Sequence, residues 1–280
     1  MIVVTGATGN VGRRLVELLL AEGQQVRALT RSVATADLPE GAEVVSSAAP
    51  ETALIGAGAV FMHAAALAGG AAEFLALARE RGVRRAVLLS TRSVRDDVER
   101  QLDPIGEMHK VIEDAIEASG LEWTFLRPGE FAMNAATQWG PQIRATGVVR
   151  GAYGTAASSP IHERDIAAVA ARTLIDDGHA GARYVLTGPE SLTQIDKVRI
   201  IGEAAGRPLR FEEITPQAAR KEMVENGLPE FIAEIVLDDL AQRVGQAAPI
   251  SPVTEQVTGR PGLTFAEWAK EHAHAFAQGE

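Results

Sequence analysis

The chain has 280 residues, of which 46% are apolar, with no cysteine and a formal charge of −10 at pH 7. A mean hydropathy of +0.02 and the lack of a long uncharged apolar run describe a globular chain with enough length for one large core, or a core and a smaller lobe. No disulfide framework, thiol nucleophile or thiolate metal site can form, and the acidic surface disfavours nucleic acid and anionic lipid, so a small molecule is the expected partner. Met1-Ile2-Val3-Val4 carries no basic stretch, so no secretory signal is expected and the expected location is cytoplasmic.

In chain order, Val3-Val4-Thr5-Gly6-Ala7-Thr8-Gly9-Asn10-Val11-Gly12 joins a β-branched run to three glycines spaced by three, then to an amphipathic segment. This spacing predicts strand, phosphate loop and helix. Gly6 can take the positive φ of a sharp turn, Gly9 lets backbone approach an anion, and Gly12 lets the helix lie close on the strand. The amides opening the helix then face a pyrophosphate; the competing reading is a plain structural turn.

The first helix, residues 10–22, gathers Val11, Leu15, Leu18 and Leu19 on one face and stops at Gly23. Strand patterns follow at 25–29, 43–45, 59–62, 85–90 and 122–126, with helices at 71–81 and 106–119. Such alternation predicts an α/β fold, a doubly wound parallel sheet of the Rossmann kind, with ligands at the carboxyl ends of the strands.

After the second strand, Leu29-Thr30-Arg31-Ser32 offers no acid before Asp37, and Arg31 stands 19 residues past Gly12. A guanidinium suits a 2′-phosphate where a carboxylate would suit free ribose hydroxyls, so the expected cofactor is NADP(H) rather than NAD. The competing reading leaves Arg31 solvated, with Ser32 as a cap.

Further on, residues 134–151 carry Trp139 and Pro141 and end in a short strand at 147–150. Residues 163–174 read as an amphipathic helix with Glu163 and Asp165 in its first turn, where the helix dipole favours acids, and Asp165 is read as structural. A strand is expected at 183–186. The last third, 190–280, reads as mostly helical, with a strand near 209–213 and a loop at 241–252. Phe231, Ile235, Val236 and Leu240 form one helical stripe, expected in a core or lid. Glu222, Met223, Phe231 and Trp268 are candidates for lining a pocket. His272 and His274 would diverge on a helix, so no metal site is expected.

Taken together, the chain resembles the NmrA-like group of atypical short-chain dehydrogenase/reductases, which includes isoflavone-reductase-like, quinone-reductase-like and ergot-alkaloid-reductase-like enzymes. The resemblance rests on Thr5 to Gly12, on Leu88-Leu89-Ser90-Thr91, on residues 113–131, and on Asn134 and residues 161–167; it runs from Met1 to about Leu186. It implies that Gly6, Thr8, Gly9, Asn10, Val11 and Gly12 line the diphosphate and that Arg31 and Ser32 meet the adenosine phosphate. By the same resemblance His63 and Ala64 lie beside the adenosine ribose, and Ser90 and Thr91 beside the nicotinamide ribose. Arg127, Pro128, Gly129, Glu130 and Phe131 would flank the nicotinamide. Val45-Ser46-Ser47-Ala48 departs from the Gly-Asp-Leu that the family often has near adenine. The expected organisation is a cofactor domain at 1–128, rejoined by 161–187, and a small, discontinuous, mostly helical substrate lobe at 129–160 and 188–280.

Short-chain dehydrogenases commonly deliver a proton through a Tyr and a Lys four residues later. Alignment on Ala118-Ser119-Gly120 puts Ile105 and His109 at those places, and the first tyrosine is Tyr153. His109 is therefore the candidate catalytic residue, able to hydrogen-bond ligand or supply a proton, against a reading in which it only packs or caps. His63, Tyr153 and His162 are weaker candidates. The expected activity is metal-free, NADP(H)-dependent hydride transfer to an activated small acceptor such as an imine, iminium, quinone or enone, by a monomer or homodimer. Two alternatives stay open: a non-catalytic redox sensor, and a non-redox isomerase or cyclase that keeps the dinucleotide.

Overall fold

The computed structural model describes residues 1–67 and 70–277. The first half runs β1 (Ile2–Val4), α1 (Asn10–Ala21), β2 (Val26–Thr30), β3 (Glu43–Ser46), α2 (Pro50–Ala53), β4 (Ala59–His63), α3 (Ala71–Glu80), β5 (Arg85–Leu89), α4 (Pro104–Ala118) and β6 (Glu122–Pro128). Then come α5 (Asn134–Thr146), β7 (Val148–Gly151), β8 (Ala157–Ser158), α6 (Glu163–Ile175), β9 (Ala182–Leu186), β10 (Leu192–Thr193) and α7 (Gln194–Ala204). The chain finishes with β11 (Arg210–Glu213), α8 (Pro216–Glu225), α9 (Glu230–Arg243), α10 (Val253–Thr258) and α11 (Phe265–Glu271).

Two compact units divide these elements, the first comprising Met1–Gly129, Glu163–Leu186 and Val253–Arg260 and the second the remaining described residues. The first unit holds a seven-stranded parallel sheet in the order β3-β2-β1-β4-β5-β6-β9. β1 and β2 are buried at every position, because helices cover both faces and such strands read as unbroken apolar runs rather than alternating ones. Val3, Val60, Met62, Leu88, Phe125, Phe74 and Ile116 share one core cluster. The order reverses between β1 and β4, which opens a crevice at their carboxyl ends.

Local chemistry sets several boundaries. α4 begins at Pro104, two residues before the expected start, because Asp103 caps it by accepting from the Gly106 amide at 2.8 Å and proline suits the first helical position. Arg27, buried in β2, keeps its charge by donating to the carbonyls of Ala53 (2.7 Å) and Ile55 (2.8 Å) and pairing with Glu43 (2.8 Å). Residues 253–260, expected in the lobe, join the first unit, where Arg260 pairs with the fully buried carboxylate of Asp165 at 2.8 Å.

The second unit packs around Trp139, Ile143, Val149, Ile201, Phe265, Trp268 and Phe276. β7 pairs in parallel with β11, and β8 antiparallel with β10. Two sequence expectations are corrected here. α9 buries Ala233 and Leu237 and leaves Ile235, Val236 and Leu240 half-buried, while Phe231 is 51% exposed and so falls outside the face it was expected to share with them. Trp268 is a core residue with no exposure, stacked on Phe265 at 5.1 Å, rather than a residue with surface open to a ligand. α9 also extends to Arg243, into the expected loop.

Candidate functional site

The glycine loop has the shape its spacing demands. Gly6 has φ +62°, and a Cβ there would lie 3.0 Å from the His63 side chain. A Cβ on Gly12 would collide with the Gly6 carbonyl oxygen and stand 2.9 Å from the Ala7 Cα. The Gly9 amide closes the turn on the Gly6 oxygen at 3.0 Å. Thr8, Gly9 and Asn10 are exposed at the mouth of this turn, and Val11 and Gly12 are buried behind it.

α1 is preceded by Gly9 at its N-cap, with no side-chain cap and no acid in its first turn. The opening amides of a helix have no carbonyl one turn earlier to bond to, and they sit at the positive end of its dipole. Exposed donors with no carboxylate beside them, in a loop too tight for a side chain at position 12, fit the diphosphate of a dinucleotide.

Around this loop the structure gathers most of the other expected residues at the carboxyl ends of the first unit's strands. Arg31 and Ser32 are exposed just past β2, and among the described residues Arg31 has no acidic partner. The Ser32 amide donates to Thr30 Oγ1 at 3.2 Å. Asp37, the first acid after this strand, pairs with Arg13 of α1 at 3.0 Å.

His63 ends β4, its amide donating to Thr5 Oγ1 at 2.8 Å and so tying β4 to the end of β1. Burial, and after it the neighbouring charge of His109, holds the His63 imidazole below its ordinary pKa. Ala64 is buried next to it. His109 lies on α4 with Nδ1 2.8 Å from the Ile105 carbonyl oxygen. A carbonyl only accepts, so Nδ1 carries the hydrogen and Nε2 of the neutral ring is left as an acceptor. Ile105, one helical turn before His109, is 41% exposed.

Ser90 and Thr91 follow β5. The Thr91 hydroxyl accepts from the Ser93 amide at 3.2 Å. The Ser90 hydroxyl, 4% exposed with the rest of its residue, donates to Glu113 Oε1 at 2.5 Å. Arg127 is heavily paired: its guanidinium meets Asp96 at 2.7 and 2.8 Å and Glu113 at 2.6 and 3.0 Å, so this side chain is held by two carboxylates. Burial alone would lower its pKa, but the bonds to Asp96 and Glu113 raise it well above the usual value. Pro128 closes β6 opposite Leu186, and the Gly129 amide donates to the Leu186 carbonyl at 2.9 Å.

Glu130 and Phe131 belong to the second unit. Phe131 bridges to Ile161. Glu130 Oε1 accepts from Lys197 Nζ at 2.7 Å, and the same ammonium reaches Ser158 Oγ at 3.0 Å and lies 5.3 Å over the Trp139 ring. Burial pushes the Glu130 carboxyl up, but Lys197, Ser158 and Arg243 outweigh it and hold the group below the usual carboxylate range. Nothing local in the sequence flagged Lys197, Asp96 or Glu113, since their partners are 67, 31 and 14 residues away.

A family model described as NAD(P)H-binding matches residues 6–177, more than half of the chain. The chain is 39% identical to a (4-alkanoyl-5-oxo-2,5-dihydrofuran-3-yl)methyl phosphate reductase of Streptomyces griseus, with 99% of each chain covered. It is 33% identical to an NAD(P)H azoreductase of Xenophilus azovorans, again over 99% of each. The fold matches that of an Escherichia coli NADPH-dependent quinone oxidoreductase solved with NADPH, at a TM-score of 0.79 and 23% identity, covering 97% of this chain and 99% of that one. With the loop geometry and these relatives in view, the chain belongs to the NAD(P)H-binding family, among the NmrA-like atypical short-chain dehydrogenase/reductases, and is an NAD(P)H-dependent oxidoreductase.

Proposed function

We propose that this protein reduces an electron-poor conjugated acceptor, an enone, quinone or iminium, and prefers NADPH to NADH. The observation that carries this reading is the contact between Ile105 and His109 on α4, two residues that the alignment on Ala118-Ser119-Gly120 sets where the wider superfamily uses a tyrosine and a lysine to deliver a proton. The bound cofactor supplies a hydride. An acceptor whose reduced form is a neutral amine, a hydroquinone anion or a delocalised enolate needs no strong acid at that moment, whereas a simple ketone does. Ile105 offers no proton donor, and His109 offers Nε2 as an acceptor when neutral and as a donor only when protonated. The reading draws support from the relative named for a 4-alkanoyl-5-oxo-2,5-dihydrofuran, whose ring double bond is conjugated to carbonyl groups.

In this reading the diphosphate is held by Gly6, Thr8, Gly9, Asn10, Val11 and Gly12, and the 2′-phosphate by Arg31 with Ser32. His63, Ala64, Ser90, Thr91 and the backbone of Arg127, Pro128 and Gly129 contact the riboses and nicotinamide, with Glu130 and Phe131 beyond them, and the second unit is the substrate-binding part. The test is NADPH consumption by purified protein with a doubly activated enone, a quinone, an iminium and a simple ketone. Turnover of one or more of the first three and neglect of the ketone is expected; brisk ketone reduction with none of the others overturns the reading. NADPH bound tightly but consumed with no acceptor would favour the redox sensor, which the same missing tyrosine and lysine also suit.

A further inference from the structure

The inner part of the polar chain behind Ser90, Glu113 and Arg127, is buried, while Asp96 at its outer end is half exposed. Glu113 is 1% exposed and Arg127 4%, yet both are charged residues, which proteins keep inside only when fully partnered. Each Glu113 oxygen is occupied: Oε1 accepts from Ser90 Oγ at 2.5 Å and Arg127 Nε at 3.0 Å, and Oε2 from an Arg127 terminal nitrogen at 2.6 Å. Arg127 turns its outer edge to both oxygens of Asp96, at 2.7 and 2.8 Å. Arg183 adds a second cation 3.7 Å from Asp96. Behind Ser90 the backbone is also pinned, with the Ser90 amide on the Leu126 carbonyl at 2.8 Å and the Arg92 amide on the Pro128 carbonyl at 3.0 Å.

A carboxylate paired with a guanidinium has no hydrogen to give, so the bond between Ser90 and Glu113 has one direction. The serine hydrogen is committed to Glu113, which leaves the hydroxyl only its lone pairs for any other partner. We propose that Glu113 is a positioning residue that fixes Ser90 as an obligate hydrogen-bond acceptor for a hydroxyl or amide donor of the dinucleotide, with Arg127 and Asp96 holding Glu113 in that task. Ser90 therefore does not protonate or polarise the acceptor molecule. Asp96 in turn fastens the segment between β5 and α4 against β6, so the same four residues set both the direction of the hydroxyl and the path of the loop that carries it. This rests on the dinucleotide reading of the first unit and deepens it.

The test is a double-mutant cycle read as NADPH affinity by fluorescence titration on full-length protein, alongside steady-state kinetics. Ser90→Ala removes the acceptor and is expected to weaken NADPH about tenfold, the size of one hydrogen bond, raising KM for NADPH more than it lowers kcat. Ser90→Thr, which keeps the hydroxyl, is expected to restore most of that. Glu113→Gln frees the hydroxyl to rotate and is expected to weaken NADPH in the Ser90 background but to add little once Ser90 is alanine. Equal effects of Glu113→Gln in both backgrounds would overturn the positioning role, as would unchanged NADPH affinity in Ser90→Ala. Should Glu113→Gln fail to fold, the contrast between Ser90→Ala and Ser90→Thr decides: restored affinity supports the proposal and equal affinity overturns it. Wild-type protein that binds no NADPH would overturn the dinucleotide reading and this proposal with it, whereas wild-type binding with additive variants overturns only the latter.

Discussion

Gly12 of α1 lies so close to Gly6 that a Cβ on the first would run into the carbonyl oxygen of the second. Backbone cannot yield as the tip of a long side chain can. Gly12→Ala is expected to separate the helix from the loop, lower stability by about 1–3 kcal/mol and weaken NADPH at least tenfold. Thermal melts and calorimetric titration check the two effects separately; a variant with native affinity would mean that the loop is not the diphosphate site.

Arg31 is exposed, without an acidic partner among the described residues, at the end of β2. Arg31→Glu replaces a cation suited to a 2′-phosphate by a carboxylate suited to ribose hydroxyls. Charge-assisted bonds of roughly 1.5–3 kcal/mol correspond to a loss of about 10- to 150-fold in NADPH affinity, with NADH affected little. Titration with both cofactors checks it, and equal losses would remove the preference for NADP(H).

The Lys197–Glu130 pair tests the second unit. The lysine side chain is 4% exposed, so Lys197→Met leaves Glu130 without its main counter-charge. Breaking a buried pair from one side costs about 3–5 kcal/mol. Urea denaturation is expected to show that loss, and Lys197→Met combined with Glu130→Gln is expected to recover most of it.

Acid should loosen the first unit through Asp96. Its hydrogen bonds to Arg127 hold the carboxyl below the ordinary value of 3.8, against a smaller opposing effect of burial. Because the folded-state pKa is the lower one, the unfolded chain takes up the proton first. The stabilisation is thus complete above pH 3.8 and disappears as pH falls through the depressed folded value. Asp96→Asn is expected to be less stable near neutrality and to show a flatter acid limb below about pH 4; denaturation midpoints across pH 2–7 check this, and parallel curves would refute it.

How far the molecule could be read from its sequence depended on the range of the interaction. β1, the glycine loop and α1 are specified by neighbours in the chain: a β-branched run, glycines three apart and an apolar face at helical spacing. The alternation of strands and helices up to β6 was legible for the same reason. The start of α4 carried a local signal, Asp103-Pro104, that hydrophobic periodicity alone passed over. α9 was misjudged because its burial falls on Ala233 and Leu237, and alanine adds little to a hydrophobic stripe while exposed Phe231 adds much.

By itself, then, the sequence determined the doubly wound sheet and the tight glycine turn that opens α1, since each is written in residues adjacent in the chain or one helical turn apart. Only the tertiary structure decided what the charged residues do. It tied Arg127 to Asp96 and Glu113, set the Ser90 hydroxyl on Glu113, and buried Lys197 against Glu130. These pairings join residues 14 to 67 positions apart. A charged side chain reads as solvent-facing in any local pattern, and only the packed fold, by withdrawing water, forces it to find a partner.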